Sequence, residues 1–330
     1  MDAKNPNNPA SRTLTLGHSA DADDVFMWWP ITGKVRPDGE PIDGDEGRPV
    51  IDTAGFRFRS VPDDIQKFNR RAMDAADLDI TAISFHAYPH VRSRYALCAS
   101  GSSMGEGYGP KVVAKADAPL HCENCLRNKK PTIAVPGVNT TAFLTLSLLL
   151  GPSTAGKFPS FSYVEMPFDR IMPAILEGRS AGRGVDAGLV IHEGQVTFKD
   201  LGLKQVVDVG QWWGKETGLP LPLGANAIKR SVDERFGAGT LVTIAGVLEN
   251  SIRYALEHRE EGLEYVLAWM EANGTLIPRE RLEKYLDMYV TPLSVNMGAR
   301  GRDAVRALLT RGHLAGLGPD PGDLDIVRVA

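Results

Sequence analysis

Apolar and polar positions alternate in blocks along the middle of the chain, and the lengths of these blocks distinguish strands from helices. Short apolar runs predict strands at residues 132–135, 161–166 and 187–191. Between them, apolar residues at helical spacing predict a helix at 141–150 and a second helix that Asp169 caps and that ends at Gly178. Strands joined by single helices through short connections indicate parallel βαβ units, whose ligands bind at the carboxyl ends of the strands.

The flanking segments have different patterns. Before residue 110, strands are predicted at 14–17, 55–61 and 79–84, helices at 25–31 and 63–73, and a surface loop at 36–49. An aspartate of the segment 21–24 is the expected N-cap of the first helix. Residues 232–330 are almost wholly helical in pattern, with helices predicted at 239–257, 261–272, 280–290 and 303–311.

This order of elements predicts an α/β protein with two lobes. The late helical block suggests a chain that leaves its first lobe and later returns to it. We predict a discontinuous first lobe of residues 1–110 and 224–330, in which residues 1–12 form a disordered tail. Residues 111–223 are predicted to form an inserted second lobe, with the chemistry between the two.

Composition removes several classes of function. The 330 residues are 43% hydrophobic and 24% charged, as in soluble globular proteins. A net charge of −4 without a basic stripe argues against nucleic-acid binding. The longest apolar run is shorter than the ~18 residues of a membrane span. Residues 1–12 lack the pattern of a secretory signal, and three Cys are too few for a disulfide framework, so we expect a cytoplasmic protein.

Two segments at predicted strand ends have residues suited to catalysis or anion binding. His192 directly follows the strand at 187–191, where a neutral imidazole could act as a general base or simply cap the strand. The loop at 137–141 precedes a helix whose first N–H groups and threonine hydroxyls suit a carboxylate or phosphate, although a plain Thr N-cap is the more common case. This loop lacks the Gly-Lys-Ser/Thr of a phosphate-binding Walker A motif.

Three other motifs are interpreted conservatively. The aspartates 21, 23 and 24 lack the remaining ligands of a calcium loop, and helix capping explains them more simply. The sequence His121-Cys122-Glu123-Asn124-Cys125 is half of a zinc knuckle, and we interpret residues 116–130 as an inserted surface hairpin whose zinc or redox use stays open. The glycine-rich segment 101–110 does not fit a dinucleotide fingerprint, and we predict a mobile loop beside a cleft.

Taken together, a series of short motifs in fixed order resembles the menaquinone-biosynthesis family of the futalosine route, and within it the 1,4-dihydroxy-6-naphthoate synthases. The resemblance covers about residues 13–312. The motifs are Leu16-Gly17-His18-Ser19, Asn69-Arg70, Ile83-Ser84, Gly107-Tyr108-Gly109-Pro110, Ala134-Val135-Pro136-Gly137, Thr140-Thr141-Ala142, Phe168-Asp169-Arg170-Ile171, Ile191-His192-Glu193 and Thr217-Gly218-Leu219-Pro220-Leu221-Pro222-Leu223-Gly224.

The resemblance implies a fold, a reaction and a set of site residues. The fold is that of type II periplasmic binding proteins, with the ligand between two lobes. The reaction is a lyase conversion of cyclic dehypoxanthine futalosine to 1,4-dihydroxy-6-naphthoate with loss of a three-carbon sugar fragment. No metal or organic cofactor is expected, and the partner is a small aromatic carboxylate; an oligomer stays open. His192 takes the position of the family's base, and the substrate-binding candidates are Asn69, Ser84, Thr140, Thr141, Ala142, Ser19, Gly107 and Tyr108.

Departures from the family pattern leave two other functions open. The proline usual after the first serine is Ala20, His86 stands where other residues are common, and segments 36–49, 122–125 and 156–160 resemble insertions. One alternative is the sister chorismate dehydratase, which has the same fold. The other is a solute-binding protein for an organic anion that catalyses nothing.

Overall fold

The computed structural model describes residues 12–153 and 156–327. The predicted tail at 1–12 lies outside these residues apart from Arg12. The strands are β1 (Thr13–Ser19), β2 (Arg57–Asp63), β3 (Ile80–Ser84), β4 (Tyr95–Cys98), β5 (Ser103–Gly105), β6 (Lys111–Lys115), β7 (Thr132–Val135), β8 (Ser162–Glu165), β9 (Arg179–Ser180), β10 (Arg183–Gly184), β11 (Ala187–Val190), β12 (Leu203–Asp208), β13 (Leu221–Lys229) and β14 (Ile326–Val327).

The helices include all those predicted from the apolar pattern. They are α1 (Ala22–Thr32), α2 (Ile65–Asp74), α3 (Glu123–Lys129), α4 (Thr141–Leu150), α5 (Phe168–Glu177), α6 (Gly194–Thr197), α7 (Val209–Thr217), α8 (Val232–Phe236), α9 (Thr240–Glu257), α10 (Arg259–Ala272), α11 (Arg279–Tyr289), α12 (Pro292–Val295) and α13 (Gly298–Leu314). No helix among the described residues is long and apolar enough to cross a membrane.

The first sheet combines the start of the chain with strands from its second half. Its order is β14-β4-β13-β3-β1-β2, and β5 also pairs with β13. β1 runs parallel to β2 and β3, whereas β13 returns from far along the chain to lie antiparallel between β3 and β4. All five residues of β3 are buried, as expected of a strand covered on both faces.

The second sheet has the order β12-β6-β11-β7-β8. β11, β7 and β8 are parallel, which confirms the βαβ units predicted from the apolar pattern. β6 pairs antiparallel with β11 on one side and with β12 on the other, and neither β6 nor β12 was predicted. The carboxyl ends of β7 and β11 lead into Thr140 and His192, so both candidate segments lie at the same edge of this sheet.

α1 is the buried centre of the helical block. Every residue from Ala22 to Thr32 is buried, including both Trp28 and Trp29, and the helix packs against α9, α10 and α11. A helix that is apolar around most of its circumference can only be stable when other elements surround it. The first-turn acids of α1 are therefore carried into the interior together with the aromatic residues that follow them.

The helix caps named from the sequence are observed with one exception, although several helices extend further than predicted, as α13 does by five residues at its start. Asp21 caps α1, Asp64 caps α2 and Thr140 caps α4 through their side chains. The prediction that Asp169 caps α5 is wrong: the N-cap is Pro167, and Asp169 lies inside the first turn, where its charge suits the helix dipole. The C-terminus of α5 at Gly178, in the left-handed conformation, is as predicted.

The chain passes between the two sheets twice. It leaves the first sheet after β5 and enters the second at β6, and it returns between β12 and β13. This distribution supports the division into residues 1–110 with 224–330 and residues 111–223, which we keep as a proposal.

Candidate functional site

A cleft of about 100 Å³ receives residues from both sheets. Strand ends supply Ser19 of β1, Ser84 of β3 and His192 after β11, and the N-terminus of α4 supplies Thr140 to Ala142. The cleft thus lies at the carboxyl ends of parallel strands, the position that α/β topology favours for ligands. Five of the predicted binding residues line it together with the predicted base: Ser19, Ser84, Thr140, Thr141 and Ala142.

His192 has an unusual backbone and one free ring nitrogen. Its φ angle is +51°, in the left-handed region that non-glycine residues rarely adopt. The Phe168 ring contacts the imidazole edge-on with 4.7 Å between centroids. Nδ1 is paired with the Asp21 carboxylate, while the buried Nε2 has no hydrogen-bond partner among the described residues. The ring is therefore fixed through one nitrogen, and the other is left to meet a ligand.

The Asp21–His192 pair joins residues 171 positions apart in the chain. Asp21 is the N-cap of α1, and its other interaction is with the N–H of Asp24, 3.4 Å away. Burial lowers the pKa of His192, but the Asp21 carboxylate, with smaller contributions from Glu193 and Asp64, outweighs this effect and raises the pKa to about 9. Burial opposes ionisation of Asp21 too, yet the His192 charge leaves the pKa of Asp21 below its ordinary value. The pair therefore holds a proton on the imidazole and a charge on the carboxylate.

Two further carboxyl groups follow in the first turn of α1. Burial and the Asp21 charge raise the pKa of Asp24 to about 8, although Asp24 accepts a hydrogen bond of 2.6 Å from the Ser19 N–H. Burial, and then the neighbouring aspartates, raise the pKa of Asp23 well above its ordinary value. Asp23 accepts a hydrogen bond of 2.9 Å from the Tyr285 hydroxyl. Three buried carboxyl groups this close together cannot all be ionised, so protons are stored beside His192.

The three aspartates are also where a cation could be held. Their ligand oxygens lie within 4.8 Å of one another. Each aspartate already has a partner within the protein: Asp21 pairs with His192, Asp23 with Tyr285 and Asp24 with the Ser19 backbone. The geometry thus gives the three acids two roles, capping of α1 and holding of protons. The sequence analysis predicted the capping role.

Glu193, the residue after the candidate base, connects the two parts of the chain at the same point. Its Oε1 accepts a hydrogen bond of 3.0 Å from the N–H of Ala22, in the first turn of α1. Burial and the Asp21 charge raise its pKa. His192 and Glu193 together therefore hold the strand end of β11 against the start of α1.

Asn69 supports the cleft from behind. Its amide donates to Ser84 Oγ at 3.0 Å and to the carbonyl of Asn139 at 3.3 Å, and its oxygen accepts from the Ser84 N–H at 2.9 Å. Asn69 is fully buried and is not among the residues that line the cleft. It orients Ser84 and ties the end of β3 to the loop before α4.

The two threonines at the start of α4 have different local roles. Thr140 accepts from the N–H of Phe143 at 3.2 Å as the N-cap and donates to the Gly137 carbonyl. Thr141 donates 2.6 Å to the carbonyl of Leu223, on β13 of the first sheet. With both hydroxyls used in this way, the donors left for an anion are the first N–H groups of the helix.

Gly107 and Tyr108 are not brought together with the other candidates. Gly107 lines a separate surface recess beside Gln211 and Lys215. Tyr108 packs edge-on against Tyr289, with ring centroids 5.7 Å apart, and it is Tyr289 that reaches the cleft. Their assignment to substrate binding stays a prediction that the geometry of the cleft does not support.

Unpartnered polar atoms line the cleft, and three of them belong to residues that the sequence analysis missed: Gln195, Asn226 and Tyr289. Within the described residues, Ser19 Oγ, Gln195 Oε1, Asn226 Oδ1 and the Tyr289 hydroxyl are buried without a hydrogen-bond partner, as is His192 Nε2. All five belong to residues that line the cleft. Buried polar atoms normally have partners, so this set indicates a surface built for a polar ligand. Tyr285 and Tyr289 lie four residues apart on α11. In the sequence this spacing indicates only an ordinary buried helix face.

Comparisons with known proteins agree with one another. Residues 14–314 match the family described as Menaquinone biosynthesis. The chain is 37% identical to a Thermus thermophilus protein named 1,4-dihydroxy-6-naphtoate synthase, over 94% of this chain and 98% of that protein. It is 34% identical to a Streptomyces coelicolor protein of the same name, over 94% and 96% of the two chains.

Solved structures show the fold. Protein AF1704 from Archaeoglobus fulgidus is 36% identical, with a TM-score of 0.70 over 93% of this chain and 99% of that one. A Candida albicans protein described as having the generic periplasmic binding protein fold is 10% identical, with a TM-score of 0.64 over 96% and 98%. At that identity the likeness concerns the fold alone. The predicted α/β fold of periplasmic-binding-protein type is confirmed.

Proposed function

The chain belongs to the menaquinone biosynthesis family, and from this premise we propose that it is a lyase converting cyclic dehypoxanthine futalosine to 1,4-dihydroxy-6-naphthoate. The names of the two curated relatives support the product. The observation that carries the chemistry is His192, held by Asp21 through one nitrogen with Nε2 free at the cleft.

In this proposal His192 is the general base. Loss of the sugar portion requires removal of a proton from a carbon next to an activated position, and a neutral imidazole is suited to that step. Asp21 fixes the ring orientation and stabilises the imidazolium that forms. The active form of the base is the deprotonated imidazole. Because the same carboxylate raises the pKa of His192, the deprotonated fraction grows as the pH rises towards this pKa.

The substrate carboxylate is proposed to bind at the N-terminus of α4. The helix has ten residues, and its first N–H groups lie at the cleft beside Thr141 and Ala142. A helix N-terminus favours an anion through free donors and its dipole. The unpartnered atoms of Gln195, Asn226 and Tyr289 would then meet the hydroxyl groups of the sugar portion.

Contacts between the two sheets suggest how water is kept out. His192 with Asp21, Glu193 with the Ala22 N–H, and Thr141 with the Leu223 carbonyl connect elements of the second sheet to the first across the cleft. We propose that closure of the lobes forms these contacts around the substrate, which assembles the base only when water is excluded. A cytoplasmic location belongs to the same proposal, since three cysteines are too few for a disulfide framework.

The decisive experiment is incubation of the purified chain with cyclic dehypoxanthine futalosine. We expect the absorbance of the naphthoate product to appear, with its identity checked by mass. Chorismate in a parallel reaction tests the dehydratase, and binding of either compound without turnover would indicate a solute-binding protein. Absence of product from authentic substrate would rule out the proposed reaction.

A further inference from the structure

We propose that Cys122 and Cys125 form a thiol–disulfide modification site, which exchanges with small-molecule disulfides such as oxidised glutathione. This site lies outside the cleft and does not depend on the proposed reaction. It occupies the segment 116–130, which the sequence analysis predicted as a hairpin. That prediction is wrong in form, because the segment contains α3, and Cys122 is the residue that precedes this helix.

The backbone already brings the two sulfur atoms together. Cys122 is extended, with φ −163° and ψ 172°, and Cys125 lies in the first turn of α3. The Cys125 N–H donates to the Cys122 carbonyl at 3.1 Å, which fixes the turn. The two Sγ atoms are 3.3 Å apart. A disulfide bond of about 2.05 Å therefore requires a side-chain movement of little more than an ångström.

Both thiols are accessible to a reagent, and the third cysteine of the chain is not. Cys122 is exposed and Cys125 is half-buried, whereas Cys98 lies in the core. The pKa of Cys125 is lowered by hydrogen bonds with the backbone of His121 and with the Cys122 side chain. The charge of Lys129 makes a smaller contribution in the same direction. Burial raises the pKa of Cys98 to about 12. Because the thiolate is the nucleophile, exchange is directed to the surface pair.

The surroundings favour a disulfide over a metal centre. A structural zinc site needs four ligands, and this segment offers His121 and two thiols. The Nδ1 atom of His121 lies 3.2 Å from the Lys204 ammonium group. That group also donates to the carbonyls of Ala116 and Ala118, so it is fixed beside the imidazole. Among the described residues, His121 and the two thiols do not form a group of converging metal ligands.

The reaction is a balanced exchange in two steps. The Cys125 thiolate attacks one sulfur of oxidised glutathione, which forms a mixed disulfide and releases one glutathione thiolate. The Cys122 thiolate then attacks the Cys125 sulfur and displaces the second glutathione. The protein loses two electrons and two protons, and one disulfide of the reagent becomes two thiols.

The position of α3 limits the consequences to its own neighbourhood. Leu126 is buried, and Arg127 donates to the carbonyls of Leu149 and Leu150 at 2.5 and 3.4 Å, which caps the C-terminus of α4. The cleft lies at the opposite end of α4, about 15 Å away for a helix of this length. A disulfide in the first turn of α3 leaves these contacts in place, so the modification is expected to leave turnover in the cleft unchanged.

The test uses the full chain in buffers of increasing ratio of oxidised to reduced glutathione, with free thiols alkylated before intact-mass measurement. We expect the wild type to lose two hydrogen atoms and two alkylation sites, with Cys122 and Cys125 joined in one peptide. Cys122→Ser and Cys125→Ser should instead each retain one glutathione. Cys98→Ser is the matched control and should behave as the wild type.

Two results would overturn the proposal. One is the absence of an internal disulfide in the wild type at a ratio that already attaches glutathione to the single variants. The other is stoichiometric zinc in the purified protein that blocks both alkylation and exchange until a chelator removes it. Neither result bears on the assay for the naphthoate product, so the two proposals fail separately.

Discussion

His192 is the residue on which the proposed chemistry depends most directly. We expect His192→Ala to fold like the wild type and to lose turnover by about 10²- to 10⁴-fold, the usual contribution of a general base. Steady-state kinetics with matched circular dichroism checks this. His258→Ala is the control, because this exposed histidine lies outside the cleft lining. Near-normal turnover in His192→Ala would show that the base is another group.

Asp21 is predicted to set the pH at which the base becomes active. In the wild type, the acidic limb of kcat/KM should rise towards a midpoint near the His192 pKa of about 9. Asp21→Asn removes the charge that raises this pKa, so the midpoint should move to lower pH while maximal turnover falls because the ring is less well oriented. A pH profile of both proteins decides this. An unshifted limb with an equally reduced maximum would indicate a purely structural role.

Single residues were the hardest feature to predict from sequence alone. His192, Thr140 and Thr141 could be found because they follow an apolar strand or begin a helix, whereas Ser84 was a candidate only through the family resemblance. Asp21 was recognised only as a cap, because its pairing with a histidine 171 positions later depends on the packing of α1 against the end of β11. Asn226 lies within a strand whose pattern shows nothing but burial.

At the scale of elements, the N-terminus of α4 is predicted to serve both stability and binding. Thr140→Ala removes the cap on Phe143 and should cost about 1 kcal/mol of unfolding free energy, while raising KM for a substrate with a carboxylate. Thr140→Ser retains a capping hydroxyl and should recover most of both losses. Urea unfolding and steady-state kinetics measure the two effects. A normal KM in Thr140→Ala would separate the cap from the substrate site.

The packing of α10 on α1 gives a second prediction at this scale. A Cβ built on Gly262 of α10 would lie 2.6 Å from the Phe26 ring, so Gly262→Ala should be destabilising by about 1–3 kcal/mol through overpacking. Gly214 of α7 is the control, because a Cβ there meets nothing within 4 Å. Gly214→Ala should stabilise by about 0.5–1 kcal/mol through helix propensity. Equal effects of the two changes in urea unfolding would contradict this packing.

Elements with strong local patterns were predicted well, and those defined by distant partners were not. α4 and β7 have apolar runs bounded by turn residues, which is enough to identify them. β12 pairs antiparallel with β6 across a separation of about 90 residues in the chain, with a register irregularity between Gln205 and Val207. Nothing local in either segment specifies such a partner, because the pairing is decided by which edge of the sheet is free.

For the whole molecule, the buried proton-holding groups predict how stability depends on pH. The folded pKa of His192, about 9, lies above the ordinary 6.5, so its contribution is complete below pH 6.5 and is lost as the pH rises through 9. Asp24, raised from 3.8 to about 8, is protonated in the folded chain and ionised in the unfolded one at pH 7, which acts in the same direction. The folded state therefore binds more protons than the unfolded state across this window.

We expect the free energy of unfolding to fall between pH 6.5 and 9, with a slope of at most about 1.4 kcal/mol per pH unit for each extra proton bound by the folded state. Urea unfolding at several pH values measures this slope. His192→Gln removes one titrating group and should flatten the dependence, and Asp24→Asn should flatten it further. A wild type whose stability does not fall over this interval would show that the folded state does not hold these extra protons. Asp21 would then orient a neutral ring by accepting a hydrogen bond from Nδ1–H, without raising the pKa of the base.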